Sequence, residues 1–157
     1  MDDFKIDFGK LKIDQLGYVY KDILTQAKVM ENVLGFSKFI FSNPRTSTIQ
    51  YRGNTTLITR QLAFSRLMGT QIELIKWISG ECLFKEFLDQ GKEGLHHMAF
   101  YIENTDSYIK EFEKRGIRIL QAGETYNTRV TYMDTEKEFG FFVELLEKIR
   151  RKKKNKK

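Results

Sequence analysis

Cysteine is almost missing from this 157-residue chain, which has one, Cys82. That excludes an intramolecular disulfide and any multi-cysteine metal site, and it suits a reducing compartment. Cys82 itself reads as a half-buried packing residue. Histidine is nearly as scarce: the two present, His96 and His97, are adjacent. No apolar run approaches the roughly 20 residues of a membrane helix, and the start MDDFKIDFGK has neither the charged nor the apolar part of a signal peptide. A cytoplasmic protein without membrane insertion is the expectation. Acid is missing locally, since no Asp or Glu occurs between Glu31 and Glu73.

The chain does have apolar residues, 41% in all and 13% aromatic, enough for one substantial core. It also carries a net charge of +6, but the last eight residues, RRKKKNKK, hold seven positive charges, and without them the chain is close to neutral. A like-charged terminal run with no apolar residue cannot fold onto a core. Residues 150–157 are therefore expected to be a solvated, disordered tail, and no specific nucleic-acid partner is expected.

The sequence repeats itself. LKIDQLGYVYKDILTQAKVMENVLGF (11–36) matches EGLHHMAFYIENTDSYIKEFEKRGI (93–117), each a strand, an Asp or Asn turn and an amphipathic helix ending at Gly35 or Gly116. Thr25 and Thr105 stand near the two helix starts as caps. GTQIELIKW (69–77) likewise matches GFFVELLEK (140–148). The expected fold is α+β, with two fused βαβββ modules whose curved sheets enclose a shared cleft. Residues 1–10 form an extension, 11–79 the first module, 80–92 a connecting helix and 93–149 the second module.

A helix covers one face of each module, so the other face must be buried by pairing the modules. Strand alternation then assigns faces. Val143 and Leu145 go with one helix and Ile72 and Leu74 with the other; Phe142, Glu144 and Leu146, and Gln71, Glu73 and Ile75, face the cleft. Aligning the repeats places Gln15 at the position equivalent to His97, which faces the cleft, while His96 is expected to face away. Taken singly, a strand histidine is usually a bonded core residue, and a strand glutamate pairs with one of 27 basic side chains. The coincidence of Gln15, Glu73, His97 and Glu144 at equivalent positions points instead to a divalent metal: Zn, Ni, Co or Mn. The set does not match an iron oxygenase, whose triad needs two histidines.

In the acid-free stretch, Arg45, Arg52, Arg60 and Arg66 would hold a ligand carboxylate or phosphate if they point into the cleft. Tyr51, Phe64, Tyr101, Tyr132 and Phe142 are candidates for its walls.

ECLFKEFLDQGKEGLHHMAFYIEN, KIDQLGYVYKD and VELLE resemble, respectively, the short helix with paired-histidine strand, the opening strand and the closing strand of the vicinal oxygen chelate superfamily. That superfamily includes glyoxalase I, methylmalonyl-CoA epimerases, extradiol dioxygenases and bleomycin-resistance proteins. The first stretch most resembles the epimerases. The resemblance covers about residues 11–148 and implies that Gln15, Glu73, His97 and Glu144 stand at the metal positions. Glutamine at the first of these, where histidine is usual, also occurs in some glyoxalase I enzymes. The epimerases carry a further carboxylate base in the region matching IQYRGNTTLIT, and no acid stands there, near Thr56.

A metal-dependent lyase or isomerase of a small carbonyl or thioester compound is the leading expectation, with Glu144 as base, Glu73 opposite it, and Arg45, Arg52, Arg60, Tyr101 and Phe142 as substrate contacts. The alternative is a non-catalytic small-molecule-binding protein of the antibiotic-resistance kind. Relatives of this fold are often dimers, so a homodimer is expected.

Overall fold

The computed structural model describes residues 6–149, so the expected tail at 150–157 lies outside the described residues. Residues 6–10 of the expected extension begin with Ile6 against the second module's core and include a 3-10 turn at Phe8–Lys10.

The first module runs β1 (Gln15–Val19), α1 (Ile23–Leu34), β2 (Ile40–Phe41), β3 (Arg45–Tyr51), β4 (Asn54–Leu67) and β5 (Thr70–Ser79). A short helix α2 (Leu83–Asp89) follows, then β6 (Gly94–Tyr101), α3 (Thr105–Glu113), β7 (Ile119–Thr125), β8 (Thr128–Met133), α4 (Glu136–Phe139) and β9 (Phe142–Lys148). The repeat is therefore present, with the two-residue β2 added to the first copy. The nine strands of the described residues form one sheet in the order β2-β4-β3-β7-β8-β9-β6-β1-β5, and β5 also pairs with β4. That last pairing closes the sheet on itself.

The helix starts differ from expectation. Asp22 caps α1, its Oδ1 accepting from the Leu24 and Thr25 amides at 3.1 and 3.0 Å, and the Thr25 hydroxyl only braces it by donating to Oδ2 at 2.7 Å. Asn104 caps α3 by accepting from the Ser107 amide at 3.1 Å. The short acceptors of the Asp and Asn turns reach the orphan amides; the threonines are already inside the first turn. At the other end Gly35, at φ 70°, supplies the left-handed residue that stops α1.

Packing follows the expected faces. Ile72 and Leu74 join Ile23, Ala27 and Met30 of α1, while Val143 and Leu145 join Ile109 and Phe112 of α3. Between the modules lies a third cluster, built from Val19, Ile58, Ile75, Tyr132 and Phe142 and closed by Leu83, Phe84 and Phe87 of α2. Cys82 belongs to it and is fully buried rather than half-buried, and burial raises its thiol pKa.

Backbone register carries the internal symmetry into the centre. Across antiparallel β1 and β6, Gln15 pairs with Ala99 and Gly17 with His97. Parallel β5 sets Glu73 beside Gly17, and parallel β9 sets Glu144 beside Ala99. Exchanging the modules exchanges these pairs, so Gln15 and His97 are equivalent, as are Glu73 and Glu144.

Candidate functional site

The four side chains meet at one atom. His97 Nε2 lies 3.2 Å from Glu144 Oε2, 3.5 Å from Glu73 Oε2 and 3.4 Å from Gln15 Oε1. Gln15 is turned this way because its amide nitrogen donates to Gln71 Oε1 at 2.7 Å, leaving the oxygen for the centre. All four residues are buried, His97 completely. The ring fits only because of Gly17: a Cβ there would stand 1.8 Å from His97 Cε1 and 2.1 Å from Nε2. Gly17 is thus a site residue that composition does not reveal.

The expectation that His96 faces away is corrected. Gly17 pairs with His97 and Tyr18 with Leu95, so the register shifts and His96 is the extra residue of a β-bulge. A bulge breaks the alternation that would have sent His96 to the other face. Its ring sits among Phe84, Phe87 and Phe142, with centroids 5.2, 5.1 and 4.8 Å away. Its Nδ1 lies 3.1 Å from His97 Nδ1, while its Nε2 is buried without a hydrogen-bond partner. For His97 to offer the Nε2 lone pair, its proton must sit on Nδ1 and be donated to His96 Nδ1. His96 thereby fixes the tautomer.

Electrostatics differ sharply between the neighbours. Burial pushes the His97 pKa down, but Glu144 and Glu73 outweigh it and hold it at about 9 in the metal-free chain. Burial, and then His97, push His96 well below its usual value. A raised pKa gives stability that is full below the unfolded value near 6.5 and is lost as pH rises through about 9. His96 acts oppositely: neutral when folded, it costs stability as pH falls below that same value. Metal-free protein should therefore melt highest near neutrality and lower on both sides, as thermal melts against pH will show.

Does this set fit a divalent ion? Among the described residues no group of three or more His, Cys, Asp or Glu has the geometry of a metal centre as it stands. The chemistry of the donors nevertheless fits. Ligand atoms about 2.1 Å from one ion stand about 3 to 3.5 Å apart, which matches the spacings around His97 Nε2. Glu144 Oε2 is buried with no aligned hydrogen-bond partner despite its 3.2 Å approach to that nitrogen. A buried carboxylate oxygen in that state calls for a cation beside it. In the metal-free chain the His97 imidazolium serves as that cation, and an ion would replace its proton.

The set lies at the inner wall of a cleft of about 800 Å³, which Gln15, Glu73 and Glu144 line together with Arg45, Arg60 and Tyr101. Phe64 and Tyr132 line it too. Burial first, then Glu144 and Glu73, push the Tyr132 phenol well above its usual range, so it remains a proton donor. Two expected substrate contacts lie elsewhere. Arg52 follows the end of β3, where its guanidinium binds Glu86 of α2 at 2.7 and 3.1 Å, and Phe142 is buried behind the wall against His96. Tyr51 also holds Glu86 rather than ligand space. The acid-free stretch carried no sign that its second arginine would find a carboxylate on α2. The small residues two positions after Gln15 and His97, Gly17 and Ala99, were a signal for Gly17.

Among the described residues no helix is long and apolar enough to cross a membrane. No curated protein matches this sequence. Solved structures do resemble it. A hypothetical protein from Bacillus halodurans superposes with a TM-score of 0.63 at 18% identity, over 92% of this chain and 99% of its own. The methylmalonyl-CoA epimerase of Mycobacterium tuberculosis gives 0.60 at 19% identity, over 87% of each chain. That of Streptomyces coelicolor, in complex with 2-nitronate-propionyl-CoA, gives 0.62 at 16% identity, over 88% and 94%. At such identities the likeness establishes the fold. A family model matches residues 14–133, which include both repeats' opening strands and helices, and by that match the chain belongs to the glyoxalase/bleomycin resistance protein/dioxygenase superfamily.

Proposed function

We propose that this protein is a divalent-metal-dependent lyase or isomerase that removes a proton beside the carbonyl of a small carbonyl or thioester substrate. The observation that carries this reading is the convergence of Gln15, Glu73 and Glu144 on His97 Nε2 at 3.2–3.5 Å in the wall of a cleft. The epimerase structures with acyl-CoA ligands support the same substrate class. Gln15, Glu73, His97 and Glu144 would hold the ion. When bound, it would supply Lewis-acid stabilisation of the enolate or enediolate charge that develops on the carbonyl oxygen.

The chain's own residues do the rest. Glu144 is the base that takes the α-proton, and Glu73 is the second carboxylate at the reacting centre. Tyr132, protonated and paired in register with Glu144, offers a donor at the cleft wall. Phe84, Phe64, Ile75 and Leu146 give the cleft apolar walls that help exclude water. Among the described residues the only other acid lining the cleft is Glu124, which is exposed. Thr56 does not line it, so no third buried carboxylate faces the substrate from the first module.

Two measurements test the metal reading short of turnover. Because His97 is protonated at pH 7 in the metal-free chain, binding should release about one proton per ion, and affinity should rise with pH up to about 9. Metal titrations in buffers of different ionisation enthalpy will show it; no proton release would mean that His97 is not a ligand. His96→Ala should keep the stoichiometry but weaken affinity by about 10- to 100-fold, as loss of a tautomer-fixing partner does. Unchanged affinity would show that the bond between the two rings does not support the site.

A further inference from the structure

We infer that the outer end of the cleft is a binding site for a carboxylate or phosphate group, formed by Arg45 and Arg60 and braced by Tyr126. The inference rests on the cleft being the substrate site, and it needs no metal. In the β3–β4 pairing Arg45 stands directly opposite Arg60. Directly opposed residues share a face, and both arginines line the cleft. Like charges in that arrangement repel unless an anion lies between them. Among the described residues neither guanidinium has a carboxylate within salt-bridge distance, although on the same barrel Arg52 has one and Arg129 two. Arg60 is aimed by a 2.7 Å hydrogen bond to Ser47 Oγ, which lies two residues along β3 from Arg45 on the cleft face.

Arg45 is held by a different device. Its guanidinium lies 4.4 Å from the Tyr126 ring centroid. Tyr126 is at the tip of the β7–β8 hairpin, 81% exposed, and its φ of 53° lies in the left-handed region that a bulky residue rarely adopts. The chain tolerates this strain and keeps an aromatic ring in water, and the ring's contact is with the arginine. Lys148, near Tyr101 across the cleft, adds a third cation to the lining.

The site's distance from the glutamates sets the ligand's shape. Phe64 pairs with Glu73, and Arg60 lies four residues further along β4, about 13 Å of strand. Arg60 bonds Ser47, which stands level with Ile58 and so further from Phe64, and the anionic group therefore sits on the order of 13 Å from the glutamate end of the cleft. The substrate is then an elongated acyl compound, carbonyl at one end and an oxyanion at the other, either a carboxylate or a phosphate.

Calorimetric titration of the full chain as purified, with inorganic pyrophosphate and with succinate, tests this. At least one anion should bind wild type and lose about tenfold or more in affinity in R45Q/R60Q, as expected for losing charge-assisted hydrogen bonds. The tighter of the two names the oxyanion. Metal content of R45Q/R60Q should equal that of wild type, and His97→Ala should bind the anion as wild type does, so a failure here is separable from a failure of the metal reading. The double variant should melt no lower than wild type, since two facing cations are removed. Should it fail to fold, the exposed R45Q alone must show the weakened binding. Equal affinity in wild type and variant, or binding of neither anion, would overturn the proposal.

Discussion

Gly17→Ala should abolish metal binding although residue 17 itself offers no ligand atom. The added Cβ would stand 1.8 Å from His97 Cε1, a separation at which something must move. The backbone of β1 is fixed by β5 on one side and β6 on the other. The ring is fully buried, against Tyr132 at 5.3 Å, His96 at 5.4 Å and the carboxylates beyond. The imidazole must leave its rotamer and take Nε2 out of the set, so metal content should fall to background. Overpacking of this kind costs about 1–3 kcal/mol, which melting curves will register. A double-mutant cycle gives the control. With His97 already alanine the clash is absent, so Gly17→Ala should then cost nothing or even fill part of the cavity. Equal destabilisation in both backgrounds would show that Gly17 matters for some reason other than the ring.

Glu144→Gln should separate binding from chemistry. The amide oxygen can still ligate, so part of the metal affinity should remain, but an amide takes no proton. Proton abstraction should fall by about 10² to 10⁴, read as deuterium entry at the α-carbon of a chiral α-substituted thioester in D₂O. In wild type, exchange should proceed with retention. Racemisation needs a base on each side of the α-carbon; the region near Thr56, which would supply the second, holds no acid, and Thr56 itself does not line the cleft. Rapid racemisation would point to a second base, with Glu73 the first to examine. Absence of exchange over a panel of carbonyl compounds in metal-replete protein would favour a ligand-binding role for the cleft.

Much of this arrangement is legible in the sequence because the fold is a duplication. Strand alternation separates Val143 and Leu145 from Glu144, and the repeat alignment joins Gln15 to His97; the strand registers of both modules agree with that alignment. What was not legible depends on neighbours distant in sequence or on local backbone irregularity. The bulge at His96 is set by how β6 meets β1, and no alternation rule anticipates it. The repeat shows that position 17 is small, as Ala99 is, but the ring that requires a glycine there is set by the fold. Arg52, Arg45 and Arg60 are alike in sequence, yet one finds Glu86 on α2 and the other two face each other across a strand pair.

Four repeat-related side chains, Gln15, Glu73, His97 and Glu144, should together hold one divalent ion. Metal analysis of protein purified without chelator and supplied with Zn, Ni, Co or Mn tests this most directly, with wild type and His97→Ala compared after circular dichroism shows both folded. Wild type should hold about one ion per chain and the variant none. A wild-type chain that binds none of these metals, or a His97→Ala chain that holds as much as wild type, would contradict this.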